Sequence, residues 1–497
     1  MCCILSDPLC TAITEAFKCA DHEISYVEDY LNPKEFALSY TYNGIMNRRK
    51  KMKKGMFIKK VLALMILICL VFLLAYNIEN CKNTDISTMD VATSVTNDSN
   101  AGSINNNDTN ITTGSGATEA SNTEASNIKT TDNGDTNIKD TVTENINQEQ
   151  TIEKQVDLIL SKMTLEEKIY QMFVITPEAL TEEETVTSAG DITKNALEKF
   201  PVGGLVYFAK NIVDANQLTS MLRNTQDYAN EAEGMVVFTC IDEEGGKIAR
   251  IGNNSAFHVK TFTDMVSIKD TEMAYEVGTT IASYLKTYGF NVDFAPDADV
   301  LTNPENTVIG SRSFGSDPVR VTDMALAVAK GLKDNGIIAT FKHFPGHGGT
   351  LGDTHEGFAY TNKTYEELQQ SELVPFAAAS NSIDMIMVAH ISVPNIIGDN
   401  TPSSLSKKMV TDILKNDLNF SGLVITDALN MGAITDKYTS AQAAVMAVEA
   451  GDDLLLMPEN FKEATDALIS AVRNNEISES QIDESVRKII KAKLSIN

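Results

Sequence analysis

Three of the chain's six histidines, His343, His347 and His355, fall within the stretch KHFPGHGGTLGDTHEG (342–357). One proline and five glycines in the same stretch exclude a regular helix or strand through most of it. Two chemistries suit such a loop. In the first, His343 and His347 have the i, i+4 spacing of a helical zinc site, with Asp353 and His355 to complete the shell. That geometry needs a helix, and Pro345 and Gly346 stand between the two rings. Mid-helix proline costs about 3 kcal/mol and glycine about 1. A metal held by loop and strand residues, as in a barrel metallohydrolase, stays open as an alternative. The second chemistry is acid–base catalysis. Asp353-Thr354-His355 puts a carboxylate two residues before an imidazole, close enough in a turned segment to orient the ring and support its charged form. A free imidazole titrates at about 6.5, so the dyad can give and take a proton near neutrality. A hydrolase built on it lacks only a nucleophile, and Asp427, closing the run GLVITD, is the best-placed candidate.

These groups are far apart in sequence and need a scaffold to gather them. From residue 151 onward, short apolar runs alternate with longer amphipathic stretches. The runs are QMFVIT (171–176), GGLVYF (203–208), MVVFTCID (235–242), NVDFAPDADV (291–300), IIATFKHF (337–344), MIMVAH (385–390), GLVITDAL (422–429) and DLLLMP (453–458). Near-continuous apolar runs of this length read as strands buried on both faces. The stretches between them, such as DANQLTSMLRNTQDYANEA and SDPVRVTDMALAVAKGLKDNG, have helical periodicity, the second with a Ser-Asp-Pro start and a terminal Gly336. Eight such repeats predict an α/β fold, a (β/α)8 TIM-type barrel, with an open doubly wound sheet as the alternative. Asp242, Asp297, Asp299, Lys342, His343, His390 and Asp427 then stand at the C-terminal ends of strands, the face on which barrel active sites are built.

The rest of the chain reads as delivery. MNRRKKMKKGMFIKK (46–60) is basic, and VLALMILICLVFLLAY (61–76) carries no charge, the pattern of an export signal or N-terminal anchor. Residues 1–55 are expected to be a basic N-terminal segment, partly a mis-assigned start, and 56–78 an uncleaved transmembrane anchor with a cleaved signal as alternative. Residues 79–150, rich in Asn, Thr and Ser, form a disordered tether, and 151–497 the catalytic barrel. The positive-inside rule sends the barrel across the membrane, to the cell surface or the medium. A net charge of −27 argues against nucleic acid. The absence of Trp excludes a carbohydrate module built on Trp platforms. Six of seven cysteines precede residue 82, so the body, with Cys240 alone, has neither a disulfide framework nor a Cys-based zinc site.

Four separated blocks, in order, carry a specific resemblance. IDEEGGKIAR (241–250), VIGSRSFGSDP (308–318), KHFPGHG with the following DTH (342–348, 353–355) and VITDALNMGAI (424–434) resemble the motifs of glycoside hydrolase family 3 β-N-acetylglucosaminidases. The resemblance implies Asp427 as nucleophile, His355 as general acid/base with Asp353 as its partner, and Asp242, Arg250, Arg312, Lys342 and His343 as sugar contacts. It also implies a retaining mechanism through a covalent glycosyl-enzyme, with no metal or cofactor. His347 is expected to be structural and His390 to stand behind the site. The glycines of the loop are expected to let His355 move onto the substrate. Lys247 stands where the family has Arg, and Thr354 where Ser is common. The DTH loop, and a chain that closes about forty residues after its eighth run, are expected to place it in the N-acetylglucosaminide branch. The expected enzyme is a monomeric exo-β-N-acetylglucosaminidase that removes terminal GlcNAc from peptidoglycan fragments, attached to the membrane by its N-terminal segment. The alternatives are a β-glucosidase or chito-oligosaccharide hydrolase of the same family, phosphorolysis in place of hydrolysis, a metallohydrolase, or a glycan-binding barrel without chemistry.

Overall fold

A strand buried on both faces needs helices on one side and its own ring on the other, and that is how the eight apolar runs are used. The computed structural model describes residues 150–496 apart from Glu356, Phe358 and Asn381. The expected N-terminal segment, membrane anchor and tether lie outside the described residues, among which no helix is long and apolar enough to cross a membrane. The strands are β1 (Phe173–Ile175), β2 (Gly204–Val206), β3 (Phe238–Ile241), β4 (Val292–Asp293), β5 (Ile338–Phe344), β6 (Met385–Val388), β7 (Leu423–Thr426) and β8 (Leu455–Leu456). Every residue in them is buried.

All neighbouring strands pair in parallel, in the order β8-β1-β2-β3-β4-β5-β6-β7. A parallel bridge from Ile425 to Leu454, with Thr426 N–H donating to Leu454 O at 3.0 Å, joins the two ends of the sheet. Strand order follows chain order all the way round, so the reversal that defines a doubly wound sheet is missing and the architecture is that of a (β/α)8 barrel.

The fourth run is the least regular. Its ladder is two residues long, the bonds then shift to Phe294 N–H on Ile241 O and Thr340 N–H on Ala295 O, and beyond Pro296 pairing resumes at Asp297 opposite Lys342, where Ala298 N–H meets Lys342 O at 2.7 Å. This irregular stretch brings Asp297 and Asp299 to the top of the ring.

Helices follow the strands. Asp214 caps Ala215–Glu233 and Asp317 caps Pro318–Asp334, each accepting a first-turn N–H. The chain's last described helix, Glu479–Leu494, closes the opposite end. There buried Lys493 donates to Gln171 at 2.7 Å and lies 5.5 Å from the centre of the Phe238 ring, while Gln171 donates to Glu233 at 2.6 Å. Burial pushes the Lys493 ammonium down to about 8 against the pull of Glu233, whose carboxyl burial pushes up to about 6.

Candidate active site

At the C-terminal ends of the strands lies a cavity of about 460 Å³. Its wall contains all eight residues the sequence singles out: Asp427, His355, Asp353, Asp242, Arg250, Arg312, Lys342 and His343. A hollow of about 610 Å³ at the other end, beside Ile337, Asp384 and Leu423 where strands begin, contains none of them.

One wall is a compact set of charges. Lys342, on β5, donates to Asp242 Oδ1 at 2.8 Å and lies 2.7 Å from Glu244 Oε1. Arg312 grips Glu244 with two bonds, Nε at 2.9 Å and Nη2 at 2.7 Å, and its Nη1 donates to Val308 O at 3.2 Å. Burial alone would neutralise Glu244, but Arg312 and Lys342 hold it well below the usual carboxylate range. Burial likewise lowers Lys342, and the carboxylates of Asp242 and Glu244 more than reverse it. Arg250 reaches Asp242 Oδ2 at 3.3 Å and lies 5.7 Å from the centre of the Phe208 ring. Arg250 sits on a short hairpin (Glu243–Gly245 with Ile248–Ala249) that Glu243 fixes from beneath, accepting from Ile251 N–H at 2.9 Å, Gly252 N–H at 2.7 Å and the Tyr284 hydroxyl at 2.8 Å. The three consecutive acids of IDEEGGKIAR thus do three jobs, and only Asp242 is recognisable as a site residue beforehand. Glu244 was missed: nothing local separates it from Glu243, and its partners lie 68 and 98 residues downstream.

His343 stands one residue beyond Lys342. Its Nδ1 lies 2.7 Å from Asp299 Oδ2, and its Nε2 faces Arg312 Nη2 at 3.3 Å. The donor atoms of Asp297, Asp299 and His343 lie within 4.8 Å of one another, the spacing a metal would need. Here the cluster already has a cation: Arg312 Nε is 3.5 Å from Asp297 Oδ2. Burial and the charge of Asp299 push Asp297 well up, while His343 and His347 hold Asp299 down despite its own burial.

Asp427 follows β7 directly. Its N–H donates to Val388 O at 2.8 Å, and its Oδ1 accepts Ala428 N–H at 2.7 Å. Burial raises its carboxyl, but the imidazoles of His390 and His343 and the Ala428 N–H outweigh that and leave it below the ordinary aspartate value. Buried His390 contacts the same peptide from behind: its Nε2 donates to Ala428 O at 2.9 Å and its Nδ1 lies 2.7 Å from the Ser404 hydroxyl. Burial lowers the pKa of this ring, and the facing Asp427 carboxylate opposes the shift.

The histidine loop divides in two, and three of its five glycines serve close packing rather than motion. A Cβ at Gly346 would lie 2.4 Å from Glu372 Cβ, one at Gly348 2.2 Å from Val300 O, and one at Gly349 2.4 Å from Glu372 Oε1. These three are glycines because the backbone is pressed against its neighbours, with Glu372 itself fixed by Lys363 and by Thr302. His347 is buried in this rigid half, its Nδ1 2.8 Å from the Thr350 hydroxyl and its backbone N–H on Asp299. Beyond Thr350 the chain comes out to solvent. Asp353 Oδ1 accepts both the backbone N–H and the Nδ1 of His355, each at 2.9 Å, which holds its carboxyl below the usual value although burial opposes it. The His355 side chain is 65% exposed, with Nε2 unengaged by this pair and available to an incoming group.

Similarity to known proteins agrees with this architecture. The chain matches the glycosyl hydrolase family 3 N terminal domain over residues 164–492. It is 32% identical over 328 residues to β-hexosaminidase A of Pseudoalteromonas piscicida, covering 60% of this chain and 54% of that one. It is 33% identical over 258 residues to β-hexosaminidase LpqI of Mycobacterium tuberculosis, covering 50% and 66%. Among solved structures, a glycoside hydrolase family 3 β-N-acetylglucosaminidase from Paenibacillus sp. str. FPU-7 superposes with a TM-score of 0.63 at 34% identity, over 67% of this chain and 62% of that one. The chain thus spans little more than half the length of the first of these relatives. A barrel whose strand ends carry these blocks, matched over most of its length, belongs to glycosyl hydrolase family 3.

Proposed function

We propose that the protein is a retaining exo-β-N-acetylglucosaminidase acting on terminal GlcNAc of peptidoglycan fragments. The observation that carries the proposal is the joint placement of Asp427, the Asp353–His355 pair and the charged wall of Asp242, Lys342, Arg250 and Arg312 around one cavity. In the first step an Asp427 oxygen attacks the anomeric carbon. The bond to the leaving oxygen breaks, and that oxygen takes a proton from His355 Nε2, giving a β-to-α inverted glycosyl ester. In the second, neutral His355 removes a proton from water, the water oxygen attacks the same carbon from the opposite face, and Asp427 departs with the original stereochemistry restored. Asp353 holds the ring by its Nδ1, leaving Nε2 as the working nitrogen, and stabilises the imidazolium before it donates. The depressed Asp427 carboxyl is ionised throughout the neutral range, as a nucleophile requires.

Lys342 and Arg312 are engaged with carboxylates already, so their task in this reading is to hold Glu244 ionised and, with Lys342 on Asp242, to aim both carboxylates as acceptors for sugar hydroxyls. The substrate class is supported by the printed names of the relatives, β-hexosaminidases and a β-N-acetylglucosaminidase. A bacterial-type export segment at 46–76 fits a wall-derived substrate and places residues 151–497 outside the cell, tethered by 79–150 to an anchor at 56–78.

The test is release of nitrophenol from the β-N-acetylglucosaminide and β-glucoside of 4-nitrophenol by the purified chain, with and without phosphate, beside Asp427→Ala. Turnover of the N-acetyl substrate that Asp427→Ala abolishes supports the reading. Turnover of the glucoside alone keeps the mechanism and overturns the substrate, and a rate that requires phosphate replaces hydrolysis by phosphorolysis.

A further inference from the structure

Between Asp353 and His355, both open to solvent, Thr354 is buried at 1% exposure. A buried residue in the middle of an exposed loop has to be held by something, and Thr354 is held at two points on two different elements. Its hydroxyl lies 3.3 Å from Nε2 of His347, in the rigid half of the loop. Its carbonyl accepts Ala433 N–H at 3.2 Å. That N–H opens the short helix Gly432–Thr435, and first-turn N–H groups have no partner within their own helix. Ala433 lies six residues beyond Asp427, in the segment whose peptide at 428 is gripped by His390. At its base the loop is closed by Leu351 and Tyr360, which exchange backbone bonds at 3.0 and 3.1 Å. Between 351 and 360, Ala359 O accepts Ser392 N–H at 2.9 Å on the far side of the loop, and next to the dyad itself the Thr354 contacts tie the segment to His347 and to the nucleophile segment.

We infer that Thr354 is a positioning residue, its hydroxyl on His347 and its carbonyl on Ala433 setting the separation between the His355 ring and the Asp427 carboxylate. The inference rests on the reading of His355 as proton donor. Retaining chemistry needs its two groups at a fixed spacing across the anomeric carbon, and a displacement of about 1 Å costs about a hundredfold in rate. Asp353 orients the His355 ring but cannot fix where the pair stands, because both belong to the same exposed turn. Thr354 supplies the missing reference to the rest of the site. A valine has nearly the same shape as threonine and lacks the hydroxyl, so Thr354→Val breaks the His347 contact while filling the same space.

The discriminating experiment compares kcat/KM on two N-acetylglucosaminides: the 2,4-dinitrophenyl glycoside, whose leaving group departs without a proton, and chitobiose, whose leaving sugar needs one. His355→Ala, Thr354→Val and Thr354→Ser are measured in the full chain. The expected result is a loss of about a hundredfold or more for His355→Ala on chitobiose and far less on the dinitrophenyl substrate. Thr354→Val should show the same selectivity at about tenfold, and Thr354→Ser should restore chitobiose turnover. Retained dinitrophenyl turnover also reports that the valine variant folds. Equal losses on both substrates for Thr354→Val, or no loss on either, would overturn the positioning role. If His355→Ala itself shows no dependence on leaving group, the proton-donor reading fails and the inference falls with it.

Discussion

Lys342 Nζ and Asp242 Oδ1, one hundred residues apart in the chain, meet at 2.8 Å across the mouth of the barrel. The same ammonium touches Glu244, so one cation on β5 fixes two acids that follow β3. Removing one member of a buried ion cluster leaves the others uncompensated. Lys342→Met is expected to destabilise the fold by about 3–5 kcal/mol, read as a lower urea midpoint. Glu244→Gln should be costly as well, because it takes from buried Arg312 the carboxylate that it grips with two bonds.

The packed half of the histidine loop has a steric signature. Gly348→Ala forces a methyl to within 2.2 Å of Val300 O, and backbone rather than a flexible side chain has to give way. The expected cost is about 1–3 kcal/mol, with activity falling as the loop is lifted off the barrel. Gly190→Ala, where nothing lies within 4 Å, serves as the comparison and should cost under about 1 kcal/mol. Equal thermal shifts in the two variants would show that Gly348 is tolerant.

Chelation separates the two chemistries that the histidines could serve. With Arg312 Nε 3.5 Å from Asp297 Oδ2 and His343 Nδ1 bonded to Asp299, the three potential metal donors face a fixed cation and each other. Glycosidase activity is expected to survive prolonged EDTA treatment unchanged. Loss of activity that added zinc restores would assign the cluster to a metal and displace the acid–base reading.

At the other end of the barrel, Lys493 gives a pH test of stability. Its folded-state proton is released near 8 and its unfolded-state proton near 10.5, so between these values the unfolded chain holds more protons and stability rises with pH. Glu233 is ionised in both states across this window. The unfolding free energy of the wild type relative to Lys493→Met should therefore climb between pH 8 and 10. A flat difference would mean that the buried ammonium titrates normally.

The strands and the strand-end residues are legible in sequence for a local reason: a buried parallel strand is an unbroken apolar run, and the first polar residue after it marks the rim. Asp242 and Asp427 are found this way, and Lys342 as a charge near the end of its run. The roles of Glu244, Glu372 and Thr354 are invisible there because each is defined by contacts tens of residues away. Thr354 looks like an ordinary loop residue until His347 and Ala433 are seen on either side of it. The glycines of KHFPGHGG illustrate the same limit. Their type is plain in sequence, but whether a glycine bends freely or is squeezed against Val300 and Glu372 depends on what lies above it.

Ring closure at Ile425 and Leu454 sets the order in which the protein can become active during its synthesis. The loop bearing His355, the charged wall and Asp427 are all synthesised before β8, yet the cavity wall formed by Leu456 and Met457 does not exist until that strand arrives. A nascent chain bearing every reactive side chain is thus still without a substrate-sized cavity. Competence to enclose a substrate therefore arrives with β8, after the reactive groups are already in the chain.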